Sequence, residues 1–173
     1  MKRESGFTLI ELLVVVMILG ILAAITIMSL IRSRASANEA SAIGSIRTIS
    51  SGQLAYSASC GRGFFATSLV TLGVPPPGAN DGYASPDLTA AAIVQKSGYQ
   101  VTMAAGAGAQ AGLNDCNNTA TVSAFYARAE PMTFGMTGGR SFATTSSANN
   151  TIWMSYLGTA PTEPFGLPSR PLQ

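Results

Sequence analysis

Gly6-Phe7-Thr8-Leu9-Ile10-Glu11-Leu12-Leu13 opens an apolar run that continues to Ile31, and from Phe7 to Ile31 the only formal charge is Glu11. About 20 apolar residues in a helix cross the roughly 30 Å hydrocarbon layer of a bilayer, so the run is long enough to span one. A carboxylate inside such a segment costs on the order of 2.5–3.5 kcal/mol on insertion scales, which implies a partner and a task for Glu11. Ahead of the run, Lys2 and Arg3 form a short basic leader, and Gly6 followed by Phe7 reads as a cut site. An ordinary secretory signal is cut after its apolar stretch instead.

The leader, the motif Gly6 to Leu12 and the following Gly20-Ile21-Leu22-Ala23-Ala24-Ile25 resemble the N-terminus of type IV prepilins, a family that includes the pseudopilins of type II secretion. The resemblance covers about the first quarter of the chain closely and the rest in outline. It implies that a membrane prepilin peptidase cuts between Gly6 and Phe7 and that the new Phe7 amine is methylated. It also implies that Glu11 pairs with the N-terminus of a neighbouring subunit during assembly. One departure stands out. The family has a proline shortly after the Ala-Ala pair, implicated in local unwinding of the helix within filaments, and this chain has Met28 there.

At 173 residues the chain is expected to form one domain beyond its anchor. Charged residues are 10%, against about 25% in typical soluble domains, and Ala, Ser, Thr and Gly fill the space. Such a neutral surface suits a protein whose flanks are covered by copies of itself, and equally an anchored extracellular domain. The net charge is +2, with two of the positives in the leader, so nothing resembles a nucleic-acid footprint.

Helical patterning runs without proline from Phe7 to about Tyr56, roughly 75 Å of helix. Its first half is apolar on all sides. After Arg32 the texture becomes polar, and Ala42, Ile46, Ile49 and Tyr56 then form one apolar stripe, with Ile43 and Leu54 on flanking rows. Gly44 and Gly52 read as places of close approach to a sheet or as tolerated weak spots. Phe64 to Gly73 is expected to hold a helical turn or two, and Val74 to Gly82 a loop. A second short helix is expected to start at Ser85-Pro86-Asp87 and to run to a glycine stop at Ser97-Gly98.

The remainder reads as strands at Tyr99–Met103, Thr121–Arg128, Arg140–Thr144 and Thr151–Tyr156, the last two joined through Asn149-Asn150. Connections this short favour antiparallel pairing. The tail from Thr159, with four prolines, is expected to be a surface arm outside any sheet. The fold class is therefore α+β, a long N-terminal helix packed against a C-terminal antiparallel sheet, as the pilin resemblance also implies. The divisions are a cleaved leader at 1–6, a membrane-spanning and assembly segment at 7–31, and a head at 32–173 that begins with the amphipathic helix half, about 32–56.

Cys60 and Cys116 both follow the membrane run and neither has a second cysteine nearby. The chain has no histidine, which rules out a Cys-His nucleophile and a Ser-His-Asp triad. In an oxidising compartment the two cysteines read as one disulfide, the other reading being two free buried thiols. A Ser-Lys pair would have to use Lys96, the only lysine left after leader removal, and nothing places a serine beside it. Gly106 to Gly112 fits neither common phosphate-loop spacing and reads as a loop leading to Cys116. Asp81, Asp87, Asp115, Glu130 and Glu163 are scattered over turns and strand ends. The C-terminal region offers only Glu130 and Glu163 toward calcium, so no metal site and no cofactor is expected. Asn117-Asn118-Thr119 and Asn149-Asn150-Thr151 match a glycosylation pattern and read as turns.

Positive-inside counting ties, because Arg32 and Arg34 flank the far end of the run as Lys2 and Arg3 flank the near end. The leader type and the cysteine pair favour a cytoplasmic N-terminus and a head outside the cytoplasm. The expected function is a structural, non-enzymatic subunit of a pilus-like filament. By the resemblance it is held in the bacterial inner membrane before assembly and in an extracellular or periplasmic filament afterwards. The partners so implied are copies of itself, related minor pilins, the prepilin peptidase, an inner-membrane assembly platform, and lipid before assembly. One alternative is a pseudopilin of type II secretion, since Ile46-Arg47-Thr48-Ile49 through Gly63-Phe64-Phe65 is similar to that class. The other is an anchored ectodomain that binds a ligand.

Overall fold

A single α-helix, α1, runs from Leu9 to Ala58 in the computed structural model, which describes residues 6–172. Met1–Ser5, with the basic leader, and the Met28 side chain lie outside the described residues. The chain divides into two units, one ending at Arg34 and one from Ala35 to the C-terminus. Within the first unit the apolar side chains have no protein to pack against: Ile18 and Leu19 are more than half exposed, and the helix is long and apolar enough to cross a membrane.

In the second unit the expected stripe is the buried face of α1. Ala42, Ile46, Ile49 and Tyr56 are all at most 2% exposed, and they share one apolar cluster with the inner face of a sheet. Gln53 lies on the same row and is completely buried. Its carboxamide acts as a one-residue strand partner, accepting from the Ala66 N–H at 2.9 Å and donating to the Ala66 carbonyl at 2.9 Å. A buried polar group is tolerated only when so paired. Gln53→Leu keeps the volume but orphans both Ala66 groups, at a cost of about 1–3 kcal/mol for each. The measurement is the denaturant midpoint of the detergent-solubilised chain, and an unchanged midpoint would show that water replaces the amide.

After α1 come β1 (Phe65–Ala66), α2 (Leu69–Leu72), α3 (Pro86–Thr89), β2 (Ile93–Lys96), β3 (Tyr99–Ala105), β4 (Thr121–Val122), β5 (Phe125–Pro131), β6 (Ser141–Thr145), β7 (Trp153–Ser155) and β8 (Arg170–Pro171). β1 and β4 form a small two-stranded sheet; the main sheet has the order β2-β3-β5-β6-β7-β8, antiparallel throughout. Alternation along β3 and β5 buries Tyr99, Val101, Met103, Phe125, Ala127 and Ala129, and β6 is buried on both faces.

Four expectations are corrected. The helix starting at Ser85 stops after one turn, and Ile93–Lys96 is a strand, because Ser97 (φ 48°) and Gly98 (φ 71°) make a two-residue hairpin turn that pairs it with β3. Positive φ at both central residues is what a type I′ turn demands. The stretch Thr121–Arg128 is split between β4 and β5, which belong to different sheets. The proline-rich tail does enter the main sheet, as β8; Pro171 is accommodated because the strand lies at the edge. Finally, the close approach at Gly52 is to a loop and not to a sheet: a Cβ there would lie 2.6 Å from the Tyr83 carbonyl oxygen, whereas Gly44 faces open space.

Candidate processing and assembly site

Gly6, Phe7 and Thr8 precede α1 in irregular, exposed backbone, and a Cβ added at Gly6 would meet nothing within 4 Å. The scissile position expected from the sequence is thus open on every side described. Thr8 stands at the helix start: its hydroxyl accepts from the Glu11 N–H at 3.3 Å and donates to Glu11 Oε2 at 3.4 Å, while its carbonyl accepts from the Leu12 N–H at 3.3 Å. Thr-x-x-Glu is the capping-box pattern, a signal the sequence carries at Thr8 and Glu11 beside the assembly role read there for Glu11. The acid is therefore part of its own helix start. It sits in the first turn, where the helix dipole favours a negative charge by about 0.3–1 kcal/mol, and it remains exposed. The ion pairs among the described residues are Lys96–Asp87, Arg128–Glu130 and Arg140–Glu39, and Glu11 takes part in none of them.

In the head, Cys60 and Cys116 are bonded, with Cα atoms 4.8 Å apart, so the free-thiol reading is set aside. The Cys116 N–H also donates to the Cys60 carbonyl at 3.0 Å. The adjoining Asp115 is buried and fully engaged: Tyr56 donates its hydroxyl to Oδ2 at 2.7 Å, and the N–H groups of Asn117 and Thr119 donate to Oδ1 at 2.9 and 2.7 Å. Burial first, and then the Asp115 carboxylate, push the Tyr56 hydroxyl pKa well above its ordinary value. This acid is a structural clamp, a role its place in a loop did not reveal.

A second buried acid, Glu39, was also missed. Arg140 reaches its Oε2 with Nη2 at 2.7 Å and Nε at 2.8 Å, and the Gly139 N–H donates to Oε1 at 2.8 Å. Burial alone would lower the Arg140 pKa, but the hydrogen bonds and charge of Glu39 outweigh it and hold it above the usual value. Lys96 pairs with Asp87 at 2.5 Å and not with a serine. Glu163 accepts from the Ala107 N–H at 2.6 Å, tying the tail to the glycine-rich loop. Asn118, Asn149 and Asn150 all adopt left-handed backbone, as turns require. Among the described residues no group of three or more Cys, Asp or Glu side chains could hold a metal ion.

Residues 1–27 match the family model of the prokaryotic N-terminal methylation motif. No curated protein and no solved structure matches the chain. The motif points to a structural protein processed by prepilin peptidase and anchored in a membrane before it assembles. With that motif over residues 1–27, and behind it a long apolar helix followed by an antiparallel sheet, the chain has a pilin-like architecture, and the motif supports a relation to the type IV pilins and pseudopilins.

Proposed function

We propose that this chain is the structural subunit of a type IV pilus-like filament, cut between Gly6 and Phe7, methylated on the Phe7 amine, and assembled through residues 7–31. The head at 32–173 supplies the filament surface outside the cytoplasm, and the N-terminus lies in the cytoplasm before processing. The observation that carries this reading is the Thr8-capped helix start with Glu11 one turn beyond Phe7, on a helix whose apolar side chains have no protein cover. Assembly partners are other copies, related minor pilins and an inner-membrane platform. Resemblance over Ile46 to Phe65 favours a second reading, a pseudopilin in a short periplasmic filament of type II secretion. Electron microscopy of material sheared from the cell surface separates the two, because only the first predicts long surface filaments.

Processing is tested directly by intact-mass analysis of the membrane-extracted protein. The expected mass is that of a chain beginning with N-methylated Phe7. A chain still starting at Met1, or one starting beyond Ile31, overturns the proposal.

A further inference from the structure

Five large apolar side chains that the assembly reading does not use are more than half exposed in two neighbouring loops of the head: Met132 (52%), Phe134 (53%), Met136 (63%), Tyr156 (58%) and Leu157 (65%). Single exposed apolar residues are ordinary, but a contiguous group marks a contact surface. Contiguity is set by the backbone. Phe134 lies against Gly158, where an added Cβ would come within 2.9 Å of its ring, and Tyr156 lies beside the Arg140 guanidinium. Thr133 to Thr137 is folded on itself, with the Met136 and Thr137 N–H groups both donating to the Thr133 carbonyl.

The loops sit at one particular end of the main sheet. β5 finishes there and β6 begins, β7 finishes there, and the β2–β3 turn joins them through the Met132 N–H, which donates to the Gly98 carbonyl at 2.9 Å. Three residues at the beginning of the head's share of α1 hold that end: Asn38 donates to the Thr137 carbonyl at 3.0 Å, Ser41 to the Ser97 hydroxyl at 3.0 Å, and Glu39 takes Gly139 and Arg140. Asn38 comes seven residues after Ile31, the end of the apolar run. Seven residues reach at most about 25 Å even if fully extended, so the tether limits how far Asn38 can lie from the end of the run. Between them lie Arg32 and Arg34, cations of the kind that attract anionic headgroups.

We infer that before assembly the Met132–Met136 and Tyr156–Leu157 loops rest in the headgroup boundary of the bilayer, a second lipid contact that holds the head on the membrane surface. Aromatic and flexible apolar side chains beside arginines are the composition that this boundary favours. The inference rests on the reading of Phe7–Ile31 as a membrane anchor, and its test separates the two.

The full chain is reconstituted in phosphatidylcholine–phosphatidylglycerol vesicles with plain acyl chains or with chains brominated near the headgroup, and tryptophan emission is compared. The wild type sets the background through its single Trp153, which lies in β7 three residues before Tyr156, so its own bromine-dependent loss is measured first and subtracted. Phe134→Trp is expected to show a bromine-dependent loss of the added emission, Val70→Trp on α2 none, and Ile18→Trp a loss that reports the anchor. Loss in Ile18→Trp without loss in Phe134→Trp overturns the inference and leaves the anchor standing. Absence of loss in Ile18→Trp overturns both. Equal loss in Phe134→Trp and Val70→Trp also overturns it, since lipid would then cover the head without selecting this end. A blue-shifted Phe134→Trp emission that ignores bromine and disappears on dilution with lipid shows that a second copy covers the loops, and overturns it too.

Discussion

Subunits carrying Glu11→Gln are expected to be cleaved and inserted like the wild type but to be largely missing from filaments when the two are co-expressed. The proposed cleavage would leave a cationic amine on Phe7, with Glu11 four residues along, so that each subunit would carry one cation and one anion near the same depth. Left without partners in lipid, both are unfavourable, the carboxylate by about 2.5–3.5 kcal/mol on insertion scales. A neighbour displaced along the filament axis can present its amine to this carboxylate and relieve both. Apolar surroundings make such a pairing selective for register, whereas exposed surface pairs contribute only about 0–1 kcal/mol.

Glutamine is the informative replacement because the capping box accepts Glu or Gln at this position, so the helix start is preserved while the charge is removed. Thr8→Val is the complementary change. It removes the hydroxyl bonded to Glu11 and costs about 1 kcal/mol of cap, yet leaves the charge. Incorporation is measured by counting mutant subunits in sheared filaments. If Glu11→Gln assembles as well as wild type, or if Thr8→Val is lost just as completely, the acid serves its own helix and register comes from helix packing.

Removing the disulfide is the second change with a large expected effect, this time on the head. Cys60 and Cys116 are 56 residues apart, and closing a loop of that size stabilises a fold by about 4 kcal/mol in the chain-entropy model, usually somewhat less in practice. That is a large share of the 5–15 kcal/mol typical of a whole domain. The bond also joins the C-terminal end of α1 to the loop where Asp115 accepts the Tyr56 hydroxyl, so the double variant Cys60→Ala/Cys116→Ala loosens a clamp that the carboxylate must then hold alone. The variant is expected to unfold at clearly lower denaturant and to be cut by protease between Gly106 and Asn118 under conditions the wild type survives. Equal midpoints, or two alkylatable thiols in wild-type protein taken directly from the envelope, would contradict this.

What the sequence determined by itself was the part of the molecule governed by neighbours along the chain. A helix needs only its own residues in register, so the run without proline and the spacing of Ala42, Ile46, Ile49 and Tyr56 foretold α1 and its buried face. Left-handed turns are equally local, and Asn149-Asn150 marked one correctly. The segment Gly6 to Glu11 was legible because a lone acid in an apolar run is conspicuous whatever surrounds it.

Tertiary structure decided the rest. Ile93–Lys96 continues a short helical pattern in sequence and becomes a strand only because β3 lies across a two-residue turn to accept its hydrogen bonds; strand preference depends on such neighbours more than on the residues themselves. Arg170 and Pro171 join the sheet because an edge position excuses proline's missing N–H. Glu39 finds Arg140 across 101 residues, Gln53 finds the Ala66 backbone, and Asp115 finds Tyr56 across 59. In the sequence these look like ordinary polar residues on a solvated helix or loop. Their roles arise from burial, which makes an unpaired polar group costly, and burial exists only once distant segments have packed.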